Sequence, residues 1–494
     1  ILGIKTYYEQ QWLDRGFSVI DYDLEETFHS EKALLRLGRQ NIDLKLDFVL
    51  NHASVQSPQF QDLLENGSQS EYRDFFINWN TFWENCGEMT EDGYIQPEQK
   101  YLDPMFFRKP GLPLLMVEMA DGSRIPYWNT FYQEIRDTDD YHTRYLGQMD
   151  LNIKSEKVWD FYRETIKKLA GYGAKIIRLD AFAYAPKAPG RANFLNEPET
   201  WEFLEQIHKL AKPYGIRLLP EIHAGYKEKK YKMIAEKGYL TYDFFLPGLI
   251  LDALYRGDGS YLEQWAKEQI KENIHTVNML GCHDGIPVLD LAGLLPDNRI
   301  EDLIRLLVDR GGFVKDLHGN KKMYYQVNTT YYNALGENEQ ALLLARALQI
   351  FMPGKPQVWY LDLFAGSNDY EAVKRAGAGG HKEINRTNLS KKDIESGLEK
   401  EVVKKQLEML KFRKEFPAFG FDAEMTIRTK PAAQISAQAE NALHFAELPA
   451  DQMYNRIYIT WKKDGYLARL SADLKAHTYR IQALDPSGNL VWQS

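Results

Sequence analysis

Cysteine is scarce in this chain of 494 residues, which has only two, Cys86 and Cys282. They can build neither a disulfide framework nor a four-ligand zinc site, and so low a content is typical of a reducing compartment. No apolar run reaches the length of about 18 residues that a membrane span needs, so we expect none. The chain begins at Ile1, with no visible signal peptide. We therefore expect a cytoplasmic protein.

Positive charge is also in deficit, because 61 Lys and Arg residues face 70 Asp and Glu residues, for a net charge of −9. This balance gives no electrostatic support for a nucleic-acid partner. A hydrophobic share of 44% and a charged share of 27% indicate a globular chain rather than a disordered one. The 30 Tyr and 10 Trp residues suit either stacking on sugars or a large core, and composition does not choose between them.

No Gly-rich phosphate loop follows the first apolar run, which disfavours a dinucleotide-binding fold. Short, continuous apolar runs alternate with helical patterns, and this alternation predicts an α/β fold with a parallel sheet covered on both faces. Seven runs fit a (β/α)8 barrel without its first strand, or an open doubly wound sheet. The runs span residues 2–6, 44–50, 175–182, 217–222, 242–246, 276–281 and 357–361.

Two segments interrupt the alternation. Residues 51–150 contain no clear strand–helix unit and read as an inserted domain, and residues 289–334 read as a smaller insertion. Three short strand patterns after about residue 418 predict a C-terminal β domain over 419–494. The catalytic barrel would then consist of residues 1–50 and 151–418.

Three carboxylates stand at the ends of three separate predicted strands, Asp180, Glu221 and Asp284. A carboxylate at a buried strand end is costly unless it is paired or in use, so a shared active site is the better reading. Carboxylates could also bind a metal ion. Arg178, two residues before Asp180, disfavours that alternative because a cation would repel it.

Glycoside cleavage requires two carboxylates, one ionised and one that holds its proton. Arg178 lies on the same strand face as Asp180 and lowers its pKa, so Asp180 is predicted to be the nucleophile. Glu221 has no Arg near it in the sequence, which favours the acid/base role. Asp284 would then bind sugar hydroxyls.

Four segments, 47–52, 177–182, 220–223 and 282–284, resemble in order and strand placement the four motif regions of the α-amylase superfamily, glycoside hydrolase family 13. Six further segments resemble its sucrose phosphorylase subfamily. They are 14–17, 51–74, 108–113, 283–286, 325–328 and 383–386. The chain departs from the subfamily after Arg386, where Thr-Asn-Leu replaces the usual His-Tyr-Tyr, and in the loop 315–322. The family's first barrel strand should precede Leu2 and is missing from the chain.

The resemblance implies that Asp180 is the nucleophile, Glu221 the acid/base and Asp284 the transition-state stabiliser. It implies no calcium and no other cofactor. It also implies a set of residues that hold the glucosyl ring. These are Asp14, His52, Arg178, His283 and Arg386, with Gln148, Phe131 and Gln326 near them.

The predicted function is a retaining α-glucoside phosphorylase of the sucrose phosphorylase type, acting on an α-glucoside and inorganic phosphate, as a monomer or homodimer. Three alternatives stay open. The donor could be sucrose 6'-phosphate, glucosylglycerol or glucosylglycerate; the protein could be a plain α-glucosidase; or it could only bind sugar. Intact carboxylates disfavour the last alternative.

Phosphate must outcompete water, which requires cationic side chains at the pocket mouth. The candidates are Arg108, Lys109, His318, Lys321 and Lys322. Trp359 and Tyr360 are predicted to be core residues of a barrel strand rather than a sugar platform. For His223, a hydrogen bond to a loop and a role in the site are equally favoured.

Overall fold

The computed structural model describes residues 4–6, 17–24, 31–105, 107, 111–131, 133–317, 323–377, 380–429 and 455–494. They belong to two compact units. The first comprises Ile1–Ile222 and Leu317–Lys322, and the second His223–Asp316 and Met323–Ser494. Within the described ranges, no helix is long and apolar enough to cross a membrane.

The first unit contains twelve described strands and seven described α-helices. Its strands are β1 (Ile4–Thr6), β2 (Val19–Leu24), β3 (Leu44–Val49), β4 (His52–Ser54), β5 (Gly87–Met89), β6 (Ile95–Pro97), β7 (Leu114–Glu118), β8 (Arg124–Trp128), β9 (Gln133–Ile135), β10 (Tyr145–Asp150), β11 (Ala174–Asp180) and β12 (Arg217–Pro220). Its helices are α1 (Glu31–Arg39), α2 (Pro58–Asn66), α3 (Trp79–Phe82), α4 (Gln99–Leu102), α5 (Tyr141–Arg144), α6 (Glu156–Gly171) and α7 (Glu199–Ala211).

Strands β3, β11 and β12 form a parallel sheet with β11 in the centre. Phe48, Ile177, Leu179 and Leu219 are fully buried, as expected for parallel strands that helices cover on both faces. Helix α6 buries one side, including Tyr162, whose hydroxyl donates to the Leu50 carbonyl at 2.6 Å. This packing fixes the carboxyl end of β3, where the candidate residues begin.

The segment predicted as an insertion returns to the sheet end at which it leaves. Strand β10 pairs antiparallel with β4, and Asp150 lies opposite His52. Two hairpins, β5–β6 and β7–β8, and a cluster of Trp79, Trp83 and Trp128 fill the intervening chain. The alternating strands of this segment, which the sequence analysis did not find, thus place Asp150 beside His52.

The first apolar run forms β1, but its pairing differs from the prediction. It pairs antiparallel with β2, Ile4 opposite Leu24, rather than parallel within a barrel. Lys5 and Thr6 interrupt the apolar pattern that a strand buried on both faces requires. Assigning this run to the parallel sheet was therefore wrong.

The second unit contains eleven described strands and ten described α-helices. Its strands are β13 (Thr241–Asp243), β14 (Thr276–Met279), β15 (Ile286–Pro287), β16 (Phe313–Leu317), β17 (Met323–Asn328), β18 (Lys355–Gln357), β19 (Glu424–Arg428), β20 (Arg456–Lys463), β21 (Tyr466–Asp473), β22 (Thr478–Leu484) and β23 (Leu490–Gln493). Its helices are α8 (Lys230–Glu236), α9 (Leu246–Arg256), α10 (Ser260–Lys271), α11 (Asp297–Asp309), α12 (Tyr331–Ala334), α13 (Glu339–Phe351), α14 (Tyr360–Leu363), α15 (Tyr370–Ala376), α16 (Lys391–Gly397) and α17 (Glu401–Glu415).

Strands β13, β14 and β18 form a second parallel sheet, and β19 to β23 form an antiparallel sheet in chain order. Helix α13 is buried over most of its length and joins the same core as Ile457, Ile459 and Trp461 of β20. The indole of Trp461 donates to the Phe351 carbonyl at 2.8 Å. A helix buried on nearly every side must be covered by several neighbouring elements, and the C-terminal sheet supplies part of that cover.

The prediction that Trp359 and Tyr360 lie within a strand is wrong. Strand β18 ends at Gln357, and α14 begins at Tyr360. Both side chains are half-buried and donate to backbone carbonyls. The Trp359 indole donates to the Asn385 carbonyl at 3.2 Å, and the Tyr360 hydroxyl donates to the Thr387 carbonyl at 2.7 Å. They hold the chain segment that carries Arg386.

Candidate active site

One arginine links the candidate carboxylates of the first unit. The Arg178 guanidinium lies 3.1 Å from Asp180 Oδ1 and 3.6 Å from Asp47 Oδ1, and it donates a short hydrogen bond to Glu221 Oε2. The Arg178 side chain is only 5% exposed, and those of Asp180 and Glu221 are 14% and 13% exposed. Such low exposure strengthens these ion pairs compared with pairs at the protein surface.

Glu221 has no arginine near it in the sequence, but the fold brings Arg178 into contact with it. Arg178 lies opposite Leu219 in the register of β11 and β12, and the Glu221 amide donates to the Leu179 carbonyl at 3.2 Å. Residues 43 positions apart therefore meet across neighbouring parallel strands. The same Arg178 nitrogen contacts Asp180 and Glu221, so both carboxylates share one cation.

His52 is fixed by contacts at both ring nitrogens. Its Nε2 donates to the Phe17 carbonyl at 3.1 Å, which leaves Nδ1 to accept from the Asn51 amide at 3.4 Å. The ring of Phe131 lies 5.1 Å from that of His52, and Phe17 also lies under the Arg178 guanidinium at 5.5 Å. Phe17 thus contacts both His52 and Arg178, and Phe131 packs against His52.

A fully buried ion pair supports His52 from behind. Lys187 Nζ lies 2.8 Å from Asp150 Oδ2 and donates to Asn51 Oδ1 at 2.8 Å. Asn51 in turn donates to Asp150 at 2.9 Å, and Thr130 donates to Asp150 from both its amide and its hydroxyl. Burial lowers the pKa of Lys187 although Asp150 opposes that effect. The Asn51 side-chain amide therefore hydrogen-bonds both members of this ion pair. Lys187 was not identified from the sequence.

Asp284 in the second unit lies beside two cationic side chains and a histidine ring. Its Oδ1 lies 2.9 Å from Lys382 Nζ and 3.5 Å from an Arg386 nitrogen, and its Oδ2 lies 3.6 Å from His283 Nε2. Burial by itself would raise the pKa of Asp284. Lys382, His283 and Arg386 outweigh burial and hold that pKa well below its ordinary value. Asp284 is therefore ionised at neutral pH.

The 3₁₀ turn Gly380–Asn385 and the residue after it clamp the backbone around Asp284. The Asn385 amide donates to the carbonyls of Cys282 at 3.0 Å and Asp284 at 2.7 Å. The Arg386 Nε donates to the His283 carbonyl at 2.8 Å. Lys382 and Asn385 were not singled out from the sequence. Their place beside the motif residue Arg386 was the available signal.

Asp362 holds the end of β14 from behind. Its Oδ2 accepts from the Gly281 amide at 2.8 Å, and burial raises its pKa to about 6 although the cation Arg346 opposes the rise. A Cβ atom on Gly281 would lie 2.8 Å from both Asp362 oxygens, too close for any side chain. Glycine at this position lets the backbone approach the carboxylate.

Three further residues occupy defined places. Gln148 lies buried in β10, where its carbonyl accepts from the Asn129 amide. Gln326 is buried in β17, and its amide donates to Asn328 at 2.9 Å. His223 stacks on Phe244 with ring centroids 3.8 Å apart, and its Nδ1 lies 3.3 Å from Asp290 Oδ2.

Six predicted residues lie outside the described residues. They are Asp14, Arg108, Lys109, His318, Lys321 and Lys322. Among the residues that the structure describes, His, Cys, Asp and Glu side chains form no group of three or more that could hold a metal ion.

Comparison with known proteins places the chain in a family. Residues 4–284, more than half of the chain, match the family described as Alpha amylase, catalytic domain. The chain is 52% identical to a sucrose 6(F)-phosphate phosphorylase of Ilumatobacter coccineus, with 93% of this chain and 89% of that protein covered. It is 34% identical to a sucrose phosphorylase of Streptococcus mutans, with 96% and 89% covered. The chain belongs to the sucrose phosphorylase group of the α-amylase family.

Solved structures agree with membership of the sucrose phosphorylase group. A sucrose 6F-phosphate phosphorylase from Thermoanaerobacter thermosaccharolyticum superposes with a TM-score of 0.82 at 34% identity, covering 100% of this chain and 89% of that one. A trehalose-6-phosphate hydrolase of Bacillus licheniformis, at 15% identity and a TM-score of 0.57 over 96% and 82% of the two chains, shares the fold alone. The predicted α/β fold with a (β/α)8 barrel is confirmed.

Proposed function

We propose that this protein is a retaining α-glucoside phosphorylase whose donor is sucrose phosphorylated on its fructosyl unit. It transfers the glucosyl group to inorganic phosphate and gives α-glucose 1-phosphate and fructose 6-phosphate. The relative at 52% identity, named sucrose 6(F)-phosphate phosphorylase, supports this donor over sucrose itself.

The chemistry follows the two-step course of retaining glycosidases. The Asp180 carboxylate attacks the anomeric carbon, and the bond from that carbon to the fructosyl oxygen breaks while Glu221 gives this oxygen its proton. A β-glucosyl ester of Asp180 results. Glu221 then accepts a proton from phosphate as the phosphate oxygen attacks the anomeric carbon and the ester bond breaks. Two inversions give net retention, and Asp284 binds sugar hydroxyls in both transition states.

The contact of one Arg178 nitrogen with both Asp180 and Glu221 carries the mechanistic part of this proposal. A shared nitrogen requires the two carboxylates to lie close together. Retaining enzymes have such a short separation, whereas inverting enzymes leave room for a water between the two groups. The acid role requires Glu221 to be protonated before it donates. Once Glu221 is neutral, Asp180 is the one charged carboxylate of these two that still contacts Arg178, and this contact stabilises the ionised form of Asp180.

We also propose a cytoplasmic location and a monomer or homodimer as the working form. The phosphorylated donor is an anion, and transfer of an anion through an apolar layer is costly. Such a substrate stays in the compartment where it is made.

The test is a panel of donors assayed with and without inorganic phosphate. The donors are sucrose 6F-phosphate, sucrose, glucosylglycerol and glucosylglycerate, and the products measured are glucose 1-phosphate and free glucose. We expect phosphate-dependent glucose 1-phosphate with the highest kcat/KM on sucrose 6F-phosphate. Free glucose at a rate independent of phosphate would instead identify a hydrolase, and a higher kcat/KM on another donor would overturn the choice of substrate.

A further inference from the structure

We propose that Lys382 is a positioning residue for Asp284, acting through its carboxylate and not on substrate. This inference rests on the proposed function, because it gives Asp284 the task of binding sugar hydroxyls. It concerns glucosyl transfer itself and is independent of which acceptor or leaving group is used.

The geometry around Asp284 carries the inference. Lys382 Nζ is the nearest of the three nitrogen-bearing side chains, at 2.9 Å from Oδ1, compared with 3.5 Å for Arg386 and 3.6 Å from Oδ2 for His283. Arg386 also donates from Nε to the His283 carbonyl. The turn Gly380–Asn385 brings Lys382 to the carboxylate while Asn385 holds the Asp284 carbonyl at 2.7 Å. Backbone and side chain of Asp284 are thus anchored by the same turn.

This anchoring has a chemical consequence for a carboxylate that binds hydroxyls. An ammonium on Oδ1 fixes the rotation of the carboxylate and leaves Oδ2 to accept hydrogen bonds in a defined direction. Hydrogen bonds that tighten in the transition state depend on such fixed acceptors. Lys382 therefore serves catalysis by limiting where the Asp284 oxygens can lie.

Burial distinguishes this pair from an ordinary surface ion pair. The side chains of Lys382 and Asp284 are each 19% exposed. Lys374, on the preceding helix α15, pairs with Glu371 at 2.6 Å, but these side chains are 71% and 68% exposed. Exposed pairs contribute little, so Lys374→Met is a matched control for loss of one lysine charge in the same part of the chain.

The experiment measures fluoride release from α-glucosyl fluoride, which reports formation of the glucosyl ester with either water or phosphate as acceptor. We expect Lys382→Met to lower kcat/KM about ten- to a hundred-fold, because it breaks a largely buried ion pair and leaves the Asp284 carboxylate without its nearest cation. Lys382→Arg should restore most of the activity because it keeps a cationic donor, and Lys374→Met should match the unchanged protein. Thermal unfolding of each variant checks that it is folded.

A double-mutant cycle with Asp284→Asn separates positioning from general support of the structure. If Lys382 acts through Asp284, Lys382→Met should change kcat/KM less than about two-fold in the Asp284→Asn protein. A full loss in that background, or no rescue by Lys382→Arg, would overturn the proposal. Failure of the proposed function would look different, because glucose 1-phosphate would then be missing from the unchanged protein while fluoride release and its dependence on Lys382 remained measurable.

Discussion

At the residue scale, Arg178 is the most connected group of the candidate site in the first unit. It contacts Asp47, Asp180 and Glu221, and its guanidinium lies over the Phe17 ring. A planar guanidinium can bind several carboxylates in fixed directions, which a lysine cannot do. Because Asp180 and Glu221 share this cation, their proposed roles of nucleophile and acid/base must be distinguished by replacing each carboxylate with its amide.

Replacing Asp180 by Asn should reduce turnover to below about 1%, because no other group can form the glucosyl ester. Asp160→Asn is the control, since Asp160 is an exposed residue of α6 paired with Arg163. Steady-state rates on the preferred donor give the answer. Residual activity above a few per cent would remove Asp180 from the nucleophile role.

Replacing Glu221 by Gln should affect substrates according to their leaving group. A fructosyl leaving group requires a proton, so its kcat should fall about a hundred-fold or more, whereas fluoride requires none and should lose far less. The ratio of the two rates is the measurement. Equal losses on both substrates would show that Glu221 does not supply the proton.

At the element scale, the sequence predicted the parallel strands of the first unit better than the antiparallel strands of the C-terminal sheet. Residues 44–50, 175–182 and 217–222 match β3, β11 and β12 closely, because a strand buried on both faces is a continuous apolar run. Strands β19 and β21 were missed. In β21 the buried positions include Ala468 and Ala472, whose small side chains give a weak alternating pattern.

The candidate site was predictable where the chemistry lies at the end of one strand. Asp180, Glu221 and Asp284 follow from that rule, whereas the Arg178–Glu221 contact depends on register between strands. Lys382 reaches Asp284 from almost a hundred positions later in the chain. Single-strand patterns contain no information on either contact.

The turn after β14 offers a test of close packing. Gly281→Ala would place a methyl group 2.8 Å from both Asp362 carboxylate oxygens, and would displace the residues that lead to Asp284. We expect kcat to fall about ten-fold, from misplacement of Asp284, the group proposed to bind sugar hydroxyls. Gly171→Ala at the end of α6 is the control, since a Cβ there meets nothing within 4 Å. Unchanged kcat in Gly281→Ala would show that this turn tolerates the shift.

The start of helix α9 should make stability depend on pH. Burial raises the pKa of Asp243 to about 6, although bonds from Trp265, Gln269 and the amides of Phe245 and Leu246 oppose the rise. A carboxyl whose pKa is raised in the folded state contributes most to the stability of the fold when the pH lies below its unfolded-state pKa, near 4. This contribution is lost as the pH rises through the folded-state pKa of about 6.

The stability of the unchanged protein relative to Asp243→Asn should therefore fall by about 2 kcal/mol between pH 4 and pH 7. Urea unfolding of both proteins at matched pH measures the difference. Since the comparison is between two proteins, other titrating groups cancel. A difference that stays constant with pH would contradict the raised pKa.

At the scale of the whole molecule, a net charge of −9 must be reconciled with the anionic substrates proposed above. Charges further apart than about 8 Å are largely screened at physiological salt. Local cations therefore determine binding, and the residues predicted for this task in the sequence, Lys321 and Lys322, lie outside the described residues.

Neutralising Lys321 and Lys322 together should raise the KM for phosphate, or for the phosphorylated donor, several-fold, on the order of ten. The KM for a neutral glucosyl donor should hardly change. Steady-state kinetics with phosphate varied at saturating donor measure this KM. Raised salt should reduce the difference in KM between the variant and the unchanged protein, because salt screens the charges. Unchanged KM values for every anionic partner would show that these lysines do not take part in anion binding.

The first unit draws almost all of its residues from the first 222 of the chain. Synthesis proceeds at roughly 5–20 residues per second, so Asp47, Arg178, Asp180 and Glu221 all leave the ribosome seconds before Asp284 is made. Any fold that the nascent chain forms there in that interval would place three carboxylates at neighbouring strand ends. Three negative charges would repel one another without a cation among them. Arg178, made between Asp47 and Glu221, supplies that cation from within the same early stretch of the chain.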